Sequence, residues 1–430
     1  MLFTPQRLFG ETGSSPNTLT HEPFLERARL QRERESDVSA RLALGAYVVA
    51  RLVDKLLTLD NDDEQLEGFR WQLEAVRRHI NELPADAPET AHLAGVVAAV
   101  PVQGKPNSGL WMSLTAYAYF LEHEARLQEA LELLMLAARS QGDQAPLEDF
   151  AAYALFAARL NRLLARWEAA TSCYSAAEDA ASVIGDAFSV LRGRLGRGSV
   201  YRGQGNFPAA HAAAEDVLRQ AVELRLPEAQ AMAYADLGAI YGAQGLRLEA
   251  LDAQYQAFRL SADTPHQMQA LGNLAIGLSE IGALEAARLG FQIVIGSNAS
   301  IEVRVNALLE LMDLESSVSN RVAFERYRSD VEELRSRMSP RMSVDYHYKV
   351  GVGLARFGQT PRGKASLTTA IELAERHGLN AWYFKVEQAL RELAERSAEQ
   401  SQPRQPSELS ETAMVREMEV GLREYAALTT

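Results

Sequence analysis

The sequence predicts an all-α protein in which pairs of antiparallel helices stack one after another. One observation is compositional: Ala and Leu, which favour helices, dominate a chain of 430 residues that is 47% hydrophobic. The other is a pattern of small residues that recurs about every 40 residues between positions 110 and 395. Such a period is typical of repeat proteins, in which each unit packs on its neighbours.

The first part of the chain lies outside this repeat. Residues 1–20 are polar and contain Pro, Gly and Ser, so we expect a mobile arm. Residues 21–105 show helical patterns and predict a small N-terminal helical domain, which ends at the Pro- and Gly-rich segment 101–109. Apolar residues from Leu66 to Ile80 alternate at spacings of three and four. This seam fits either the core of that domain or a homodimer interface.

Residues 106–396 are predicted to form the repeat array with a closing helix. The second helix of each unit begins near a small residue, because two helices approach closely only where side chains are small. These residues are Ala130, Ala170, Ala210, Ala250, Ala287, Ala323 and Gly363. A larger side chain stands three residues before five of them, at Leu127, Trp167, Phe207, Arg247 and Leu284. The positive φ at the end of the first helix is provided by Gly205, Gly245, Gly282 and Gly358.

At residues 231–260 the chain resembles the tetratricopeptide (TPR) repeat family. The residue order of that family is matched by Leu237-Gly238, Tyr241, Gly245, Ala250 and Ala257. The unit at 191–220 resembles it too, whereas the unit at 304–333 has no turn glycine. The family's usual period is 34 residues, and the longer period here is similar to an extended bacterial type. The resemblance implies a right-handed helix–turn–helix solenoid, a TPR-like superhelix whose first helices face a concave surface.

Beyond the array the chain predicts a tethered helix. Residues 397–409 are rich in Pro, Ser and Gln and predict a linker. Residues 410–430 predict an amphipathic helix whose apolar stripe is formed by Met414, Met418, Leu422 and Tyr425. Three interpretations are open: the helix docks in the chain's own concave groove, binds another protein, or is a frayed tail. Since Met packs adaptably, these four residues are candidates for contact with a partner.

Composition argues against several functions. The formal net charge of −13 disfavours direct binding of nucleic acid or anionic lipid. The longest apolar stretch, Leu93 to Val102, is too short to span a membrane, and the N-terminus lacks the apolar run of a secretory signal. The single cysteine, Cys173, lies in a helical pattern and is expected to be a small buried residue. We therefore expect a cytoplasmic protein.

No residue pattern predicts an enzyme. The eight His residues are scattered, and none has zinc-ligand spacing with the cysteine. The glycine-rich segments 193–198 and 351–358 coincide with repeat glycines, and they lack the preceding strand and the Gly-Lys-Ser/Thr ending of a phosphate loop. We expect no catalytic residue, no metal and no cofactor.

The remaining signal is charge on the first helices of the units. In a TPR-like register the concave surface carries Arg159, Arg162, Arg192, Arg202, Asn273, Lys349 and Arg356. Arg binds carboxylates through two parallel hydrogen bonds, so an acidic peptide or protein would suit such a strip. The other interpretation is that these residues are solvated or form ion pairs within the chain.

These patterns together predict a non-enzymatic scaffold or adaptor that binds a partner peptide or helix on the concave face of the superhelix. The alternative is a regulator, in which a peptide- or small-molecule-responsive TPR sensor controls a signalling or transcription partner.

Overall fold

The computed structural model describes residues 21–33, 37–59, 63–101, 108–141, 146–261, 264–395 and 407–429. Twenty α-helices and no strand occur in these residues. The fold is therefore all-α, as the sequence predicts. Among the described helices, none combines the length and the apolar character that a membrane span requires.

The chain divides into two compact units, residues 1–206 and 207–430. The described helices of the first unit are α1 (Glu22–Glu33), α2 (Asp37–Leu57), α3 (Asp63–Asn81), α4 (Pro88–Ala99), α5 (Ser108–His123), α6 (Leu127–Gln141), α7 (Leu147–Leu163), α8 (Trp167–Ile184) and α9 (Ala187–Gly203). Helices α5 and α6 form one antiparallel pair and α7 and α8 form the next, and α9 packs on both α7 and α8.

The second unit continues the same alternation. Its described helices are α10 (Phe207–Glu223), α11 (Pro227–Ala243), α12 (Arg247–Leu260), α13 (Thr264–Glu280), α14 (Leu284–Gly296), α15 (Ile301–Ser317), α16 (Arg321–Glu333), α17 (Pro340–Arg356), α18 (Thr360–Arg376), α19 (Asn380–Glu395) and α20 (Ala413–Thr429). Each helix from α10 to α15 packs on the helix that follows it in sequence. The first helices α13 and α17 also pack on the first helix α15 that lies between them in sequence.

The predicted second helices are all present and begin where the sequence pattern places them. Helices α6, α8, α10, α12 and α14 start at the five larger side chains that precede the small residues. Ala130, Ala170, Ala210, Ala287 and Gly363 are buried, as a close crossing of two helices requires. Six of the predicted helix pairs are therefore confirmed as packed pairs, namely α5–α6, α7–α8, α11–α12, α13–α14, α15–α16 and α17–α18. Helices α9 and α10 of the remaining pair belong to different units.

All seven turns between first and second helices share one backbone conformation. At each turn an N–H donates to the C=O five residues earlier at 2.8–2.9 Å, as Leu246 does to Tyr241, which is the pattern of a Schellman helix end. The four predicted glycines have φ between +76° and +85°. In the three turns without glycine, the same positive φ is adopted by Ala125, Ala165 and Ser319. The units with the weakest sequence pattern therefore have the same turn as the others.

The N-terminal helices do not form a separate core. One continuous cluster of buried side chains extends from Phe24 to Val200, and α1 and α2 pack on α6. The predicted boundary at 105/106 therefore lies within one hydrophobic core. Phe69 and Leu73 of the seam are buried in this core, which agrees with the first interpretation of the seam. The predicted N-terminal arm, residues 1–20, and most of the predicted linker lie outside the described residues.

Helix α19 covers the end of the array. It packs on α17 and α18, and Val386 is buried between them. Lys385 Nζ lies 4.4 Å from the ring centre of Trp382 and 4.6 Å from that of Tyr348, a cation–π contact that ties α19 to α17. This is the closing helix that the sequence predicts.

Candidate functional site

An arginine–aromatic face lies on the first helices of the first unit. The rings of Tyr119 on α5 and Phe156 on α7 stack with centroids 4.2 Å apart and planes inclined by 11°. The Arg159 guanidinium carbon lies 4.9 Å from the Phe156 centroid and 5.7 Å from that of Tyr119. Tyr119 is 51% exposed and Arg159 is partly exposed, so this ring and the cation face solvent, whereas Phe156 is buried beneath them. We call Tyr119, Phe156, Arg159, Arg162, Phe188, Arg192 and Arg202 the arginine–aromatic face.

The cations of this face are only partly neutralised. Arg159 Nη2 donates to Glu122 Oε2 at 2.6 Å. Arg162, Arg192 and Arg202 form no ion pair with any carboxylate in the described part of the chain. Arg192 is exposed and lies over the ring of Phe188, at 5.8 Å from its centroid. The face therefore carries a local positive charge within an acidic chain.

Two donors on α7 have no acceptor. The Nε–H groups of Arg159 and Arg162 are buried, and neither has a hydrogen-bond partner among the described residues. A buried donor without an acceptor costs about 1–3 kcal/mol. Because both groups are buried, an oxygen-bearing group from outside α7 could accept these hydrogen bonds only after the two side chains turn outward.

The sequence placed the four arginines correctly on α7 and α9, which pack against each other. It missed the aromatic partners. Their signal is short-range: Phe156 precedes Arg159 by three residues and Phe188 precedes Arg192 by four, which is the spacing of side chains on one helix face. Arg194 and Arg197 of the same helix were also missed, and both lie beside Glu178 of α8.

A small cavity lies between the first helices α11 and α13 of the second unit. Its volume is about 80 Å³, and its lining is mostly small, including Ala231, Ala257 and Ala270. Polar groups lie around it. Asn273, which the sequence predicted, accepts a hydrogen bond of 3.4 Å from the Gln269 amide. The cavity is large enough for a short aliphatic side chain, because one water occupies roughly 30 Å³.

Lys349 and Arg356 form ion pairs within the chain, which is the other interpretation that the sequence left open. Lys349 is 6% exposed, and its Nζ lies 2.7 Å from Glu310 Oε1 and 2.8 Å from Asp345 Oδ2. Burial alone would lower the pKa of Lys349, but the two carboxylates raise it well above its usual range. Arg356 Nη1 contacts Asp313 Oδ1 and Ser316 Oγ at 2.6 Å each.

These ion pairs join equivalent helices of successive units. Glu122 and Arg159, Glu310 and Lys349, and Asp313 and Arg356 are separated by 37, 39 and 43 residues. Those separations are close to the repeat period, so opposite charges one period apart are the sequence signal for internal pairing. The internal interpretation therefore describes Lys349 and Arg356, whereas Arg159 combines one internal pair with an exposed face.

The C-terminal helix docks on the chain itself. Met418 and Leu422 are buried, and Met414 and Tyr425 are half-buried against the same cluster. The Tyr425 hydroxyl donates to Gln267 Oε1 at 2.9 Å, and its ring meets that of Phe258 edge to face at 5.1 Å. Helix α20 contacts the second helices α12 and α14 and Gln267 near the start of α13, and Ser407 upstream of α20 bonds the carbonyl of Ile281. The helix therefore docks within the chain, as the first interpretation has it, but on a surface formed largely by second helices.

The remaining reactive groups are structural. Cys173 is buried, and burial raises the pKa of its thiol to about 12. The glycine-rich segment 193–198 lies within α9, where Gly193 and Gly196 leave room for Glu178 and Tyr174 of α8. Within the described residues, no three His, Cys, Asp or Glu side chains are grouped as metal ligands would be.

No protein-family model matches the chain, and no curated protein matches it. Solved structures share its helical architecture at low identity. The apo form of the quorum sensor NprR from B. thuringiensis is 13% identical, with a TM-score of 0.46 over 80% of this chain and 91% of its own. A signal-transduction ATPase with a tetratricopeptide-repeat sensor from Pyrococcus horikoshii is 12% identical, with a TM-score of 0.43 over 89% of this chain and 56% of its own. Apo RapI gives 12% identity and a TM-score of 0.43 over 63% of this chain and 99% of its own. At such values the likeness extends to the helical architecture and no further.

Proposed function

We propose that this protein is a non-enzymatic binding protein whose arginine–aromatic face takes an acidic peptide segment of a partner protein. The observation that carries the proposal is the pair of buried Nε–H groups on Arg159 and Arg162, which lack an acceptor among the described residues. Arg159 lies beside the half-exposed ring of Tyr119, and Arg162 follows it by three residues on α7. A peptide carboxylate would satisfy the donors, and its backbone and apolar atoms would cover the rings.

The chemistry of the face selects carboxylates. Guanidinium groups bind a carboxylate bidentately, and the geometry of the fork adds specificity to the charge. Arg159 is already oriented by Glu122 and by two rings, so little side-chain freedom is lost on binding. The chain's net charge of −13 repels acidic partners in general and leaves this face as the attractive region.

The cavity at Asn273 supports a second contact of the same kind of ligand, considered within the second unit alone. Side-chain amides such as those of Asn273 and Gln269 can donate to and accept from a peptide backbone. A short aliphatic side chain would fill the Ala-lined space. Replacing Ala235 by Leu would fill the cavity from inside the protein and should weaken binding at this place only.

The proposal is tested by fluorescence anisotropy with two labelled peptides of equal length, one rich in Glu and Tyr and the other with each Glu replaced by Gln. We expect the Glu peptide to bind the full chain more tightly, with an affinity that falls as salt rises. Arg159→Ala combined with Arg192→Ala should weaken it by about tenfold or more, since a hydrogen bond to a charged group contributes about 1.5–3 kcal/mol.

The matched control is Arg219→Ala combined with Arg391→Ala. Both residues are exposed and paired locally, on α10 and α19, and the change in net charge is the same. Equal weakening by the two double variants would mean that only net charge matters, and the proposed face would be rejected.

A regulator is the second candidate, and the docked position of α20 favours it. A helix that packs on α12 and α14, far back along the chain from α19, is an element whose position a ligand could change. Small-angle scattering of the full chain with and without the Glu peptide tests this candidate. A profile that stays unchanged at saturating peptide would contradict it.

A further inference from the structure

Helix α20 occupies a defined groove, which we call the α20 groove. It is formed by Tyr255 and Phe258 on α12, Gln267 near the start of α13, Ile281 just after its end, and α14. Val415, Met418 and Leu422 enter it and become buried in the same cluster as the surrounding core residues. The α20 groove is therefore a site that binds an amphipathic helix, and α20 of the same chain occupies it.

Docking is specific in register. A Cβ atom on Gly421 would overlap the hydroxyl oxygen of Tyr255, so any larger residue at this point of α20 would require Tyr255 to move. At the other end of the segment, the N–H and hydroxyl of Ser407 donate to the Ile281 carbonyl at 3.3 Å and 2.5 Å. With the Tyr425–Gln267 hydrogen bond, the segment is fixed at three points along its length.

The segment that docks is separable from the rest of the second unit. Helix α19 ends on α17 and α18, whereas α20 packs more than 100 residues upstream, on α12 and α14. The contacts described above are made by residues 407–425 alone. The helices that form the groove remain packed by their own residues, such as Leu271 and Phe291, when α20 is absent from it.

We propose that the α20 groove also accepts α20 of a second copy of this chain, so that two copies exchange their C-terminal helices. Each copy carries one helix and one groove, so the exchange is reciprocal and closes as a two-fold dimer. Such an exchange makes the same contacts in trans that are seen within the chain. The outer side of docked α20 leaves Val420 52% and Leu428 86% exposed, and a second copy beside it would cover them.

The linker sets the balance between the two arrangements. Because α20 is covalently joined to the unit that carries its own groove, its local concentration there is on the order of millimolar. Exchange therefore increases with protein concentration, whereas docking within one chain does not.

The test uses two full-length variants in a Cys173→Ser background, one with Gln267→Cys and the other with Tyr425→Cys. The two positions face each other across the groove, so a short bismaleimide links them only when α20 is docked. The two variants are mixed, incubated, treated with the reagent and separated by denaturing gel electrophoresis. We expect a covalent dimer that contains one copy of each variant and becomes more abundant as the concentration is raised.

A double variant with both cysteines in one chain measures docking within the chain. Adding Gly421→Phe, which blocks docking, should abolish the cross-link in both experiments, while circular dichroism shows that the array stays folded. If the double variant cross-links within one chain while the mixture of the two single variants gives no covalent dimer at any concentration, exchange is overturned. Mixed dimers that persist with Gly421→Phe would show that the groove is not responsible and would overturn the proposal as well.

Discussion

The hydroxyl of Tyr117 donates a 2.6 Å hydrogen bond to Oε1 of Glu89, and both side chains are buried. The same carboxylate accepts from Arg126 Nη1 at 2.7 Å and from Arg27 Nη2 at 3.1 Å. The Glu89 carboxylate on α4 thus forms hydrogen bonds with α1, with α5 and with the residue that precedes α6. A buried carboxylate is tolerated here because each of these three hydrogen-bond partners is a donor and two of them are cations.

Replacing Glu89 by Gln should destabilise the first unit by about 1–3 kcal/mol, because the buried Arg27 and Arg126 would keep only Glu129 as a charge partner. Three of the four Trp residues, Trp71, Trp111 and Trp167, lie in this unit. In a Trp382→Phe background, urea unfolding followed by Trp fluorescence therefore measures this unit alone. Glu67→Gln on the exposed side of α3 is the control and should have little effect. Equal midpoints for the two variants would contradict a structural role of Glu89.

The stability of the first unit should also depend on pH through Glu89. Burial alone would raise the pKa of Glu89, but the charges of Arg126 and Arg27 outweigh burial and lower it from 4.5 to about 2. A pKa lowered by folding stabilises the folded state above the unfolded value of 4.5, and this contribution disappears as the pH falls through 2. The difference in unfolding free energy between wild type and Glu89→Gln should therefore shrink from pH 5 downward. A difference that is constant with pH would show that the carboxylate is not the titrating group.

The shared turn with positive φ can be tested by two substitutions that should change stability in opposite directions, one from Ala to Gly and one from Gly to Ala. Ala165 adopts φ +56°, which costs a side chain roughly 1–2 kcal/mol in the left-handed region. Glycine relieves this cost but makes the unfolded chain more flexible, so Ala165→Gly should stabilise by about 0.5–1 kcal/mol. Gly245→Ala should destabilise by about 1 kcal/mol, although nothing lies within 4 Å of the added methyl group. Thermal unfolding followed by circular dichroism measures both changes, and shifts in the same direction would contradict the shared turn.

The closest helix crossing should not tolerate a single methyl group. A Cβ on Gly363 of α18 would lie 2.7 Å from the carbonyl oxygen of Gly351 on α17. Gly363→Ala should therefore destabilise the second unit by about 1–3 kcal/mol through overpacking. Gly68→Ala on α3, where the methyl group meets nothing within 4 Å, should instead stabilise by about 0.5–1 kcal/mol because Ala favours helix. The midpoints of urea unfolding, followed by circular dichroism at 222 nm, measure both changes in stability. A higher midpoint for Gly363→Ala than for wild type would contradict the close packing of α17 and α18.

The repeat architecture could be predicted because helix crossings impose it on the side chains. Ala130, Ala170 and Ala210 are each buried where two helices meet, and a larger residue would prevent that contact. The turns at Ala125 and Ser319 could not be predicted in the same way. Their backbone is set by hydrogen bonds between main-chain groups, which any residue can make at some cost in strain.

The candidate site was predictable in position but not in electrostatics. Arg159 and Arg192 follow from the register of their helices. Whether an Arg or Lys can bind a partner depends on whether an acidic residue faces it from the neighbouring helix, about one period away in sequence. Lys349 faces such a residue, Glu310, whereas Arg192 forms no ion pair among the described residues. Docking of α20 within the chain was one of the open interpretations, but its location could not be predicted, because the groove is assembled from helices more than 100 residues upstream.

The continuous core of the first unit has a consequence for cleavage of the backbone. The contacts of Glu89 with Tyr117 and Arg126 cross the segment 102–107, as does the packing of α4 on α5. A protease that cut within this segment would break the chain while leaving those contacts in place. The two fragments would stay associated in gel filtration and would separate only in denaturant, so residues 21–101 and 108–206 would act as complementing halves of one folded body.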